Sequence, residues 1–69
     1  MTKKEFDAMV KQMHQQGLDD DMIMKILYEA FITNKCNFDD YELMVNWLGY
    51  ELTDDFLKAH NIKRNAKYN

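Results

Sequence analysis

Four times along this 69-residue chain a hydrophobic residue is followed by another five positions later, with a threonine or aspartate directly after the first. The pairs are Met1 and Phe6 around Thr2, Leu18 and Ile23 around Asp19, Phe38 and Leu43 around Asp39, and Leu52 and Leu57 around Thr53. This is the spacing of a hydrophobic staple at a helix N-terminus. The capping side chain accepts hydrogen bonds from orphan N–H groups of the first turn, and the flanking hydrophobes pack on each other. Four such starts predict four helices. Nothing interrupts them, because the chain has no proline and only two glycines.

The first helix starts at Thr2, where Thr2 and Glu5 have capping-box spacing, and carries a stripe of Phe6, Met9, Val10 and Met13. Gly17 is placed to end it in the left-handed conformation. The second starts at Asp19, with Ile23, Ile26, Leu27, Ala30 and Phe31 as its stripe. Met22, Met24, Tyr28 and Ile32 widen that stripe, so that between residues 22 and 32 only Lys25 and Glu29 are polar. So apolar a helix belongs at the centre of a bundle or in an oligomer. Residues 33–38 read as a loop. The third helix runs from about Asp39 to Leu48, with Tyr41, Met44, Val45 and Leu48 on one face and Leu43 and Trp47 beside it, and Gly49 stops it. The fourth starts at Thr53, carries Phe56, Leu57 and Ala59, and fades near Asn61. The expected architecture is all-α: a single domain over 1–61, a small bundle of four short helices, followed by a frayed basic tail over 62–69.

Charge is partitioned along the chain. Residues 18–55 hold ten acids against Lys25 and Lys35, while residues 56–69 hold Lys58, Lys63, Arg64 and Lys67 and no acid. An acidic body disfavours broad phosphate binding. No apolar run exceeds three residues, so neither a membrane span nor a signal peptide is expected. The single cysteine, Cys36, leaves no intramolecular disulfide, which fits a reducing cytoplasm.

The stretch GLDDDMIMKIL resembles the turn and second helix of a DNA-binding helix-turn-helix in its placement of Gly17, Leu18, Ile23 and Ile26. Two features speak against that role. Asp19, Asp20 and Asp21 stand where such a helix meets phosphate, and Met13 stands where a small residue is usual. The aspartates have a simpler use: Asp19 as cap, Asp20 and Asp21 in the first turn, where negative charge suits the helix dipole. Specific duplex-DNA binding is therefore not expected. Paired carboxylates could instead imitate a phosphate track on another protein's nucleic-acid site, although a solvated acidic surface explains them as well.

No catalytic pattern is present. Cys36 lies in a polar loop unconnected with His14 or His60, which both fall near helix C-termini. There is no spaced His/Cys metal set, calcium loop or phosphate loop. An enzyme, a cofactor, a metal and a small-molecule substrate are accordingly not expected. The composition is that of accessory proteins of phage and other mobile elements. The reading favoured is a regulatory or inhibitory adaptor that binds a protein, or a second copy of itself, through spare apolar faces of helices two and three. Met24, Tyr28, Ile32, Trp47 and Tyr50 are the candidate contact residues, rimmed by Asp20, Asp21, Asp40 and Asp54. Each of the apolar ones would serve equally well as ordinary core. The alternative is a nucleic-acid-binding regulator that uses Lys3, Lys4, Lys11, Lys63, Arg64 and Lys67.

Overall fold

The structure, a computed structural model, describes residues 1–62. In order these form α1 (Lys3–Gln15), α2 (Asp20–Ile32), α3 (Phe38–Leu48) and α4 (Asp54–Ala59), with no strand among them. The fold is the all-α four-helix arrangement expected. Residues 63–69 of the expected basic tail lie outside the described residues. Ile62, assigned to that tail, is half-buried and packs against the core.

All four helices begin and end in the same way. Thr2 and Glu5 form a reciprocal capping box: the Thr2 hydroxyl accepts from the Glu5 N–H at 3.2 Å, and the Glu5 carboxylate accepts from the Thr2 N–H at 2.9 Å. The bond from the Thr2 N–H, with a lesser contribution from the nearby Thr2 hydroxyl, holds the Glu5 carboxyl below its usual range. Asp19 accepts from the Met22 N–H at 2.9 Å, and Thr53 from the Phe56 N–H at 3.1 Å. At the other ends, Gly17, Asn34, Gly49 and Asn61 all have positive φ. Each is followed by a residue whose N–H reaches back to a carbonyl five positions earlier: Leu18 to Met13, Lys35 to Ala30, Tyr50 to Val45 and Ile62 to Leu57. These are Schellman closures. Glycine is the usual residue there and asparagine the usual substitute, since its short polar side chain tolerates the left-handed region.

The start of α3 corrects the sequence expectation. The cap is Asn37, whose side chain accepts from the Asp40 N–H at 2.8 Å, and Phe38 is the first helical residue and buried. Asn is as good a cap as Asp. Choosing Asn37 moves the staple positions to Cys36 and Tyr41. Tyr41 is fully buried and Cys36 packs against the same core, whereas Leu43 is 44% exposed. Staple spacing therefore holds at all four starts, but with a different pair at the third.

The core is Phe6, Ile23, Leu27, Phe31, Phe38, Tyr41, Val45, Leu52 and Leu57. The α2 and α3 helices form its central pair, and α1 packs on α3. The Phe31 and Tyr41 rings stack at 5.0 Å and 8°, and Phe38 meets Phe31 edge to face at 5.9 Å. In α1 only Phe6 is buried, while Met9, Val10 and Met13 are half-exposed. In α2 the buried line is Ile23, Leu27 and Phe31, and Ile26, expected in the core stripe, is 40% exposed. The reason is the position of α4. It covers the Met24–Tyr28 side of α2 and leaves the Ile26–Ala30 side open.

The caps imply a test. Replacing Asp19 with alanine removes the acceptor for the Met22 N–H and is expected to cost about 1 kcal/mol. Asp21→Asn, which weakens only a dipole contact, should cost about 0.3 kcal/mol. Urea melts of the two variants measure the difference, and equal losses would show that Asp19 does not act as the cap.

Candidate functional site

The open side of α2 forms one wall of an apolar groove of about 360 Å³. Helical spacing builds it. Met9 and Met13 project from α1, one turn apart. Ile26 and Ala30 do the same from α2, and Leu43, Met44 and Trp47 line the α3 wall. Met1 also contributes, so four of the six methionines lie here. Trp47 ties the groove to the core, because its ring packs against Phe6 at 5.6 Å. The polar edge comes from Lys35 and Cys36 in the α2–α3 connection and Asp40 in the first turn of α3. Burial pushes the Cys36 thiol up, and the Asp40 carboxylate adds to the effect. Cys36 thus stays protonated at neutral pH, the reverse of what an activated nucleophile needs.

Most of the residues picked from sequence fall in three places. Trp47 and Asp40 belong to the groove. Met24 and Tyr28 lie across α2 from it, half-buried in a pocket of about 140 Å³ shared with Lys25, Tyr41, Phe56 and His60. There Tyr28 meets Phe56 edge to face at 6.4 Å and His60 at 5.0 Å, and His60 stacks on Phe56 at 4.2 Å. Tyr50 is exposed and sits with His14 and Asp19–Asp21 around the α1–α2 turn. Partial desolvation, followed by the charges of Asp20, Asp21 and Asp19, raises its phenol pKa. Ile32 is exposed at the end of α2 and Asp54 lies in the first turn of α4; neither lines the groove.

The groove residues not picked from sequence include Met9, Met13, Ile26, Leu43 and Met44. Their helical spacing was legible, but spacing alone does not say which side of a stripe a neighbouring helix covers. The acidic turn, for its part, is occupied locally. The Asp19 carboxylate caps α2, and Asp20 Oδ1 lies 2.8 Å from His14 Nε2, linking the end of α1 to the start of α2.

Tyr41 stands out within the core. It is fully buried, its hydroxyl has no hydrogen-bond partner among the described residues, and burial pushes its pKa up to about 12. In the unfolded chain a tyrosine ionises near 10. The folded value is the higher one, so as pH rises from 10 towards 12 the tyrosine ionises in the unfolded chain while Tyr41 stays neutral in the fold, which shifts the balance towards unfolding. Stability is therefore expected to fall over that window, and Tyr41→Phe should flatten the fall in a pH series of urea melts.

Among the described residues no helix is long and apolar enough to cross a membrane, and no group of three His, Cys, Asp or Glu side chains converges to hold a metal. No protein-family model matches the chain, and no curated protein and no solved structure matches it.

Proposed function

We propose that the chain is a protein-binding module, a small regulatory or inhibitory adaptor, that seats an amphipathic helix of its partner in the α1–α2–α3 groove. The observation that carries this reading is the groove itself, which opens to solvent with Ile26 and Leu43 at 40% and 44% exposure. An apolar helix face recognised by anchors at i, i+3, i+4 and i+7 suits a cleft between helices. Methionine suits its walls, because an unbranched, polarisable side chain adapts to the shape it meets. The charge of the body defines the flanks of the partner helix. All twelve acids of the chain fall within residues 1–55, against five lysines there, so basic flanks are attracted and a second acidic copy is repelled.

The experiment is fluorescence anisotropy of a labelled 18-residue peptide with leucine at helical spacing and lysine elsewhere, alongside a scrambled peptide of the same composition. The patterned peptide is expected to bind at least ten-fold more tightly. Equal binding would mean that charge alone is being read. Tight, sequence-selective binding of duplex DNA in the same assay would favour the nucleic-acid alternative.

A further inference from the structure

The methionines are placed where the core does not use them. The chain has six, and none is among the nine buried core residues. Methionine packs well in cores, where its flexible side chain fills irregular gaps. Here all six are exposed or half-buried, and Met1, Met9, Met13 and Met44 line the α1–α2–α3 groove. The groove thus presents thioethers to small solutes, while the core that holds the helices together contains no sulfur.

That placement sets what an oxidant does to this protein. A thioether sulfur attacks one oxygen of hydrogen peroxide. The O–O bond breaks, an S–O bond forms, and both peroxide protons leave with the other oxygen as water. Sulfur loses two electrons and the peroxide gains them. The product, methionine sulfoxide, is polar where the thioether was apolar. Two thiols reverse the step, taking the oxygen off as water and closing to a disulfide. Cys36, at the edge of the groove, does not divert the oxidant. The thiolate is the form that reacts with peroxide, and burial and the Asp40 carboxylate keep Cys36 protonated. A thioether needs no deprotonation.

Met9 and Met13 stand on the α1 wall and Met44 on the α3 wall. A bound helix covers these positions with its leucine seam, which offers a sulfoxide oxygen no donor. Covering a polar group without a partner costs the water it loses. In the free protein the same oxygen stays hydrated, so oxidation weighs on binding and not on folding. We propose that Met9, Met13 and Met44 form a peroxide-sensitive modification site, whose conversion to sulfoxides releases the partner helix, leaves the fold in place and is reversed by a thiol-dependent sulfoxide reductase. This inference rests on the groove as the binding surface.

The test is anisotropy of the patterned basic peptide with the full chain before and after exhaustive treatment with hydrogen peroxide, with the oxidised residues mapped by mass spectrometry. The oxidised chain is expected to keep its helical circular-dichroism spectrum and to bind about ten-fold more weakly or worse. Methionine sulfoxide reductases of both epimer specificities, with dithiothreitol, should restore binding. Leucine keeps the volume and apolar surface of methionine and cannot be oxidised. In the triple variant Met9→Leu, Met13→Leu, Met44→Leu, oxidation should therefore leave binding unchanged, although Met1, Met22 and Met24 still react. The complementary variant Met22→Leu, Met24→Leu should lose binding on oxidation as the wild type does. Four results would overturn the proposal: binding unchanged by complete oxidation, a helical spectrum lost on oxidation, an undiminished loss of binding in the triple variant, or no loss in the complementary one. Absence of peptide binding before oxidation would instead defeat the groove reading, and this inference with it.

Discussion

Phe6→Ala is expected to cost about 3 to 5 kcal/mol, the usual range for emptying a buried phenylalanine site. Phe6 is 1% exposed and is the only buried residue of α1. It is also the inner half of the staple across Thr2, and its ring supports Trp47 at 5.6 Å. Nothing else in α1 compensates, since Met9, Val10 and Met13 are only half-buried. A domain of this length has a total stability of roughly 3 to 10 kcal/mol. The substitution therefore takes away much or all of it. Urea melts followed by Trp47 fluorescence measure the loss, and the emission of the native baseline should shift as the indole loses its ring partner. A loss below about 1 kcal/mol would mean that α1 is held by something other than Phe6.

The double substitution Ile26→Glu and Leu43→Glu is expected to leave the fold intact and to weaken binding of the patterned basic peptide at least 100-fold. Both side chains stand at the open mouth of the groove, one on each wall, and both are already more than one-third exposed. A carboxylate there stays hydrated in the free protein. A bound helix would have to strip that water from two charges and press leucine side chains against them. The lysine flanks cannot offset this, because they lie away from the apolar seam that fills the groove. Circular dichroism and a melt check the fold; anisotropy checks the binding. Full-strength binding by a folded double variant would place the contact elsewhere. Met24→Glu makes an instructive contrast. Met24 is half-buried between α2 and α4, so its substitution should destabilise the protein rather than report on the groove.

The difference between Met24 and Ile26 shows where a sequence stops being legible. Helix starts are local. Thr2, Asp19 and Thr53 could be read because a cap and its staple lie within six residues of each other. Even the misplaced start at Asp39 missed Asn37 by only two positions, since both residue types cap well. The ends were half legible. Gly17 and Gly49 announced themselves, while Asn34 and Asn61 adopt the same left-handed geometry without a glycine to mark it. Orientation is not local. The α2 helix has nine hydrophobes between residues 22 and 32, and periodicity cannot say which of two apolar flanks a neighbour will cover. That was decided by α4 closing over Tyr28 with Phe56 and His60, contacts more than 25 residues apart in sequence. The same long-range packing buried Tyr41 and left its hydroxyl without a partner among the described residues, which no pattern within α3 could indicate.

The six methionines offer the most direct test of the groove as the binding surface. Met1, Met9, Met13 and Met44 line it, Met24 faces α4, and Met22 is exposed but does not line it. With the methyl groups labelled with carbon-13, titration with the patterned basic peptide should move the resonances of Met9, Met13 and Met44 together, with one affinity, and leave Met22 and Met24 in place. Shifts centred on Met22 or Met24, with those of Met9, Met13 and Met44 unmoved, would contradict the account.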